Sequence, residues 1–200
     1  MKTWGEVKTA IEGKLYITSS DEAPEEYVNQ YETLANEALS IIANGVKPMV
    51  KYYEIDVFTT KDTLGDDEFL VNSVVKMPED FLSFIGIKIL KDGAPCKSCA
   101  YYATDGLLVK EAGHYVIPYY AMYPEILTAN VQPEGYNNQD LGIPRQVLDC
   151  IPNYVASKCL QEDDLQRSTV LANDFEMMLS RLDDGEMYDT EHFESEGGWY

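Results

Sequence analysis

The spacing of apolar residues changes period twice along this chain, and those changes constrain its architecture more than any other feature. Near the N-terminus Tyr27, Tyr31, Leu34, Ala38 and Ile41 recur at steps of 4, 3, 4 and 3, the signature of one helix face. From Lys47 to about Tyr120 that period disappears and β-formers take over, as in Met49-Val50-Lys51-Tyr52-Tyr53-Glu54-Ile55-Asp56-Val57-Phe58. Beyond it the helical period returns, with Leu165, Ala172, Phe175, Leu179 and Leu182 forming a second stripe. Helical ends around a strand-rich middle define an α+β chain: a helical bundle with an inserted antiparallel hairpin or sheet region.

The individual elements follow from local chemistry. Thr3 is placed to cap a short helix bearing Trp4, Val7, Ala10 and Ile11, which Gly13 ends. A second helix starts near Ser20-Asp21, with Pro24 in its first turn and Asn44-Gly45 as its stop. In the middle, Asp62 to Asp67 reads as a loop, Phe69 to Val75 as a return strand, and Met77 to Ile85 as a brief helix. Ile87 and Ile89, Cys99 to Ala103, Leu107 to Lys110 and Tyr115 to Tyr119 read as further strands. Thr104-Asp105-Gly106 and Ala112-Gly113 supply turns between them. Tyr123 to Leu127 reads as a short helix, followed by a Gly/Asn/Pro loop around Gln132 to Gln139. Pro144 opens a helix through Cys150, which Pro152 is expected to kink or restart before a final helix from Asp163 to Leu182. The last two elements should fold back as a hairpin against the second helix. Residues 1–182 therefore make one domain, helical over 1–45 and 143–182 with an insertion at 47–120, and 183–200 form an extended tail.

Charge narrows the function classes. Fifteen basic side chains against 35 acidic ones give a net charge of −20, which argues against a groove that grips DNA by neutralising phosphates and leaves open a surface that repels it. No stretch approaches the roughly 20 apolar residues of a membrane span. The tail concentrates the acid: Asp183, Asp184, Glu186, Asp189, Glu191, Glu194 and Glu196 include no intervening Lys or Arg. Met187, Tyr188, Phe193, Trp199 and Tyr200 are spaced through it, so it reads either as a solvated, disordered tail or as a segment that orders by docking on a partner. In the strand region Tyr52, Tyr53, Ile55, Val57 and Phe69 are the candidates for contact with a neighbouring subunit or a further component.

No catalytic or cofactor site emerges. Gly-x-Gly-x-x-Gly, Gly-x-x-x-x-Gly-Lys-Ser/Thr and Gly-x-Ser-x-Gly are all absent. His114 follows a turn glycine and His192 lies in the acidic tail. Neither Asp66-Asp67-Glu68 nor Glu162-Asp163-Asp164 has calcium-loop spacing, and the latter sits where a helix N-terminus favours negative charge. Cys96 and Cys99 form a CxxC, but Cys150 and Cys159 are no second tight pair, so four reduced thiols in an intracellular protein are expected rather than zinc or redox chemistry. No catalytic, metal or cofactor-binding residues are assigned.

The order of features resembles the head–tail adaptor (connector) proteins of tailed bacteriophages. It is carried by Tyr31 to Leu39, Met77-Pro78-Glu79-Asp80-Phe81-Leu82, Tyr102 to Leu108, Gly113 to Tyr120, Tyr123-Pro124, and the hairpin from Ile143 to Leu182 with its Glu162-Asp163-Asp164. Together these span roughly residues 20 to 182. The resemblance implies a non-enzymatic virion protein, made in the host bacterial cytoplasm. It implies a ring, usually of twelve copies, below the portal at the capsid vertex. That ring extends the DNA channel for packaging and ejection, and double-stranded DNA passes through it without specific binding. Implied partners are the portal protein, neighbouring copies and a stopper, neck or tail protein, with no membrane; the tail aromatics would dock on the portal or an adjacent subunit. A neck, stopper or tail-completion protein one layer below, and an acidic DNA-mimic inhibitor, are the alternatives.

Overall fold

The computed structural model describes residues 3–15, 24–58, 68–70, 74–85, 89–96, 100–103, 106–126 and 141–184. The chain forms two compact units, one from residues 1–47 and 124–200 and the other from Pro48–Tyr123, so the expected insertion is compact in its own right. The α+β class holds, with helices in the first unit and strands in the second.

The helical unit contains α1 (Trp4–Lys14), α2 (Glu25–Val28), α3 (Tyr31–Gly45), α4 (Arg145–Cys159) and α5 (Leu165–Asp184). Thr3 caps α1 in a reciprocal box: its hydroxyl accepts from the Glu6 N–H, and the Glu6 carboxylate accepts from the Thr3 N–H. Trp4, Val7 and Ile11 are buried from that helix. Helix α4 packs against α1, α3 and α5, and it is buried almost all round, from Val147 and Leu148 through Cys150–Ser157. Tyr154 of α4 meets Phe175 of α5 with ring centroids 4.9 Å apart. Buried Ser168 of α5 donates to the Ser157 carbonyl at 2.8 Å. The expected terminal hairpin is thus α4–α5, and Asp164 caps its second helix by accepting from the Arg167 N–H.

Four expectations in this unit are corrected. The second helix is split at Asn29-Gln30 into α2 and α3. The buried stripe of α3 is Tyr31, Ala35, Ala38, Leu39 and Ile42, so Ile41 is exposed; the small alanines allow the close approach of α4 that Leu34 and Ile41 would obstruct. Pro152 lies inside an unbroken α4: the carbonyl of Leu148 loses its i→i+4 donor, and burial of the surrounding helix offsets that loss. Residues 123–126 are not helical. Instead the Asn36 side chain reads the Ile126 backbone from both sides, donating to its carbonyl at 2.9 Å and accepting from its N–H at 2.8 Å.

The sheet unit holds β1 (Met49–Phe58), β2 (Glu68–Leu70), β3 (Val74–Val75), β4 (Phe81–Phe84), β5 (Leu90–Lys91), β6 (Ala94–Pro95), β7 (Ala100–Ala103), β8 (Gly106–Val109) and β9 (Gly113–Ala121). A larger sheet runs β2-β1-β9-β5-β6, with β4 beside β5 along the same edge of β9. The smaller sheet is β3-β8-β7. Ile55, Val57, Tyr115 and Ile117 from the larger sheet meet Val75, Leu107 and Val109 from the smaller one in a shared core. Gly106 is required by that packing, because a Cβ there would lie 2.0 Å from the Val75 carbonyl oxygen.

The sheet differs from expectation in three places. Pairing is antiparallel except at β1–β2, which is parallel, so Phe69 to Val75 is not a hairpin return strand: β2 joins β1 while β3 joins the other sheet. Met77 to Ile85 is a turn leading into β4 rather than a helix. The reason is Asp80, whose carboxylate accepts from Lys51 of β1 and, at 3.1 Å, from Tyr119 of β9, tying the segment to the sheet edge. Last, β5 and β6 form a hairpin through Asp92 (φ 51°) and Gly93 (φ 79°), a primed turn that suits Asp-Gly.

Candidate interaction surface

Alternation along β1 sorts its side chains onto two faces. Tyr53, Ile55 and Val57 point with Met49 and Lys51 toward the smaller sheet, and Ile55 and Val57 are each only 2% exposed. Val50, Tyr52, Glu54 and Asp56 point the other way. Across the ladder they oppose Tyr120, Pro118, Val116 and His114 of β9. The larger sheet therefore has one face in the core and one face on which Val50 is 54% and Tyr52 63% exposed.

That outer face has a chemical gradient. At one end Val50, Tyr52 and half-buried Tyr120 and Val116 make an aliphatic and aromatic patch over Pro118. At the other, Asp56 and His114 pair at 2.8 Å, both exposed, and the His114 N–H donates to the Asp92 carboxylate at 2.8 Å. A sheet face of this kind can bury area against another surface.

Of the five strand residues expected to make contacts, Tyr52 lies on this face. Tyr53 is half-buried against the core, whereas Ile55 and Val57 are within it and do not reach a partner without opening the sandwich. Phe69 lies on β2, and its side chain is outside the described residues, as are the tail positions Met187, Tyr188, Phe193, Trp199 and Tyr200. Val50, Val116 and Tyr120 were not singled out from sequence, although the i, i+2 rule applied to Tyr52 leads directly to Val50.

The remaining polar groups serve the fold. Partial burial alone would raise the Asp80 carboxyl, but Lys51 and Tyr119 together hold it below the ordinary carboxylate value. Burial, then the hydrogen bond to Asp80, pushes the Tyr119 phenol up to about 12. Tyr27 of α2 donates to Asp163 in the α4–α5 turn, and that hydrogen bond pushes its phenol to about 12. Burial raises the free thiols of Cys150 and Cys159 to about 11, which keeps them protonated near neutral pH and poor as nucleophiles. Cys96 is disulfide-bonded, correcting the expectation of four reduced thiols: it packs against the sheet core, and its N–H donates to the Ile89 carbonyl at 2.9 Å. Cys99 lies outside the described residues. Among the described residues no cluster of three or more His, Cys, Asp or Glu side chains is arranged to hold a metal, and no helix is long and apolar enough to cross a membrane.

No protein-family model and no curated protein sequence matches the chain.

Proposed function

We propose that this chain is a structural subunit of a bacteriophage neck, a head–tail adaptor that packs side by side with copies of itself in a ring below the portal. The observation that carries the reading is the outer face of the larger sheet, where Val50, Tyr52, Val116 and Tyr120 form an apolar patch on a subunit of net charge −20. A closed ring repeats one heterologous contact by rotation, so each subunit needs an adhesive patch facing an unlike surface on its neighbour. Tyr is favoured in such contacts, and the chain has 15 of them.

The charge supports the same reading. Carboxylates that line a conduit repel phosphates and leave DNA free to slide. At physiological ionic strength their field extends only about 8 Å, so side chains at the wall set it. The order of motifs resembling phage adaptors adds the specific partner, the portal.

Mixing the purified chain with purified portal and measuring sedimentation tests this directly. Co-sedimentation at a ring stoichiometry is expected. A chain that stays monomeric beside portal but binds a lower neck component is a stopper or completion protein. One that ignores both and blocks a DNA-dependent host enzyme is a DNA mimic.

A further inference from the structure

The break between α2 and α3 has no cause in its own residues. Glu25 to Thr33 include neither Pro nor Gly, the residues that ordinarily interrupt a helix. The backbone at the junction stays in the right-handed helical region, with Asn29 at φ −65°, ψ −19° and Gln30 at φ −96°, ψ −17°. Gln30 is about 33° in φ and about 25° in ψ away from an ordinary α-helix. That small rotation interrupts the hydrogen-bond ladder. The Asn29 N–H donates to the Glu25 carbonyl at 3.0 Å, the Gln30 N–H turns to the nearer Tyr27 carbonyl at 2.9 Å, and the regular pattern resumes where Leu34 donates to Gln30 at 2.9 Å. Gln30 gives α3 no side-chain cap, so the first turn of α3 has donors without intrahelical acceptors.

What holds the break is remote in sequence. The Tyr27 hydroxyl donates to the Asp163 carboxylate in the α4–α5 turn. No residue of α2 is buried, so this tie rather than core packing fixes where α2 lies. A pocket of about 380 Å³ separates the two sides, with Glu26, Tyr27 and Gln30 on one and Lys158, Cys159 and Glu162 on the other. The alternative is a continuous helix over 25–45, in which the carbonyls of Tyr27 and Asn29 would accept from the N–H groups of Tyr31 and Thr33. One hydrogen bond to a carboxylate and a few exposed backbone bonds are of similar net worth, so the two arrangements are close in free energy.

We infer that α2 is a latch: Tyr27 on Asp163 keeps the helix broken, and release of that hydrogen bond joins residues 25–45 into one helix. Joining swings α2 away from the α4–α5 turn and opens the pocket between them, uncovering Cys159. The element is bistable because its hinge needs only a small torsional change and each state satisfies hydrogen bonds that the other leaves unmade. The inference goes beyond the adaptor reading and is tested on the full chain with no portal present.

Amide hydrogen exchange, resolved residue by residue, distinguishes a latch from a loose end. In Tyr27→Phe, which removes only the hydroxyl, the N–H groups of Tyr31 and Thr33 are expected to exchange at least tenfold more slowly than in the native chain, because the joined helix gives them acceptors. Asp163→Ala should do the same, and Asp163→Asn, which keeps an acceptor, should exchange as the native chain does. Unchanged or faster exchange at Tyr31 and Thr33 in Tyr27→Phe would overturn the inference, since α2 would then merely fray. Alkylation by iodoacetamide, mapped by peptide mass, supplies a second reading. Cys159, 7% exposed, should react severalfold faster in Tyr27→Phe, while Cys150, 1% exposed, keeps its native rate. Equal rates at Cys159 in the two chains would also overturn it.

Discussion

Replacing Tyr52 by Ala separates the role of the outer sheet face from the integrity of the fold. Tyr52 is 63% exposed, and its cross-strand neighbour is Pro118. A fully covered Tyr removes roughly 150–250 Å² from water, so about 100–150 Å² of this side chain is left for a partner to cover. At about 25 cal/mol per Å², that area corresponds to about 3 kcal/mol, or roughly a hundredfold in the dissociation constant of each contact. The cost to the isolated fold is limited to a cross-strand pair, below about 1 kcal/mol. Ile55→Ala, three positions on and facing the core, has the opposite profile: about 2–5 kcal/mol of stability is lost because a cavity opens among Val57, Val75 and Leu107. Urea denaturation of both variants, with sedimentation of each against portal, gives the comparison. Tyr52→Ala should melt like the native chain and fail to complete a ring. If it assembles as the native chain does while its stability is unchanged, the outer face is not the interface and the argument fails.

Two further substitutions test the account of the fold. Asn36→Ala removes both hydrogen bonds to the Ile126 backbone, whose residue is 1% exposed, and should cost about 2–4 kcal/mol in chemical denaturation; a loss below about 1 kcal/mol would mean that other groups satisfy that backbone. Asp80→Asn tests the tie between Lys51, Tyr119 and the turn before β4. Because the Asp80 carboxyl is held below its ordinary value, its contribution is fully present above the unfolded value of about 3.9 and is lost as pH falls through the lower native value. The difference in melting temperature between native chain and variant should therefore be widest at neutral pH and close under acid, and a difference independent of pH would refute it.

What the sequence revealed, and what it concealed, has a physical pattern. Elements set by their own residues were legible: the cap at Thr3, the stop at Asn44-Gly45, the three strands expected at Cys99 to Ala103, Leu107 to Lys110 and Tyr115 to Tyr119, which run Ala100–Ala103, Gly106–Val109 and Gly113–Ala121, and the α4–α5 hairpin. Elements decided by remote partners were not. The segment from Met77 to Ile85 has a helical start, with Pro78 in position, and partners distant in sequence make it a turn and a strand: Lys51 and Tyr119 at Asp80, and the ladder to β9. Residues 123–126 are non-helical because Asn36 bonds to Ile126 across ninety positions. Pro152 breaks a helix in isolation, and α4 continues through it because its neighbours bury it. The hairpin at Asp92-Gly93 is different, since its turn signal in the sequence is as strong as that of Asp105-Gly106. Among the candidate site residues, Tyr52 and Tyr53 look alike in sequence; the ladder to β9 sends one outward and the other inward.

On the adaptor reading proposed above, the distribution of charge suits the two units to distinct tasks. Residues 1–47 and 124–200 carry eight basic and twenty-four acidic side chains, whereas residues 48–123 carry seven and eleven. The apolar outer face belongs to the second, nearly balanced unit, where burying a contact incurs little repulsion between like charges. The acidity belongs to the helical unit, which therefore suits a wall that nucleic acid must slide past. A DNA mimic would instead need carboxylates that follow the spacing of phosphates on one surface, and it would make no use of an adhesive sheet face. On the proposed reading, a ring subunit that holds its neighbours and repels its cargo needs both properties, and keeping them on separate units lets each be strong without weakening the other. Neutralising exposed acids of the helical unit, such as Glu25, Glu26 and Glu162, should therefore leave ring assembly on portal intact and slow DNA passage, read as retarded ejection from otherwise complete particles. Loss of assembly with unimpaired passage would reverse the assignment.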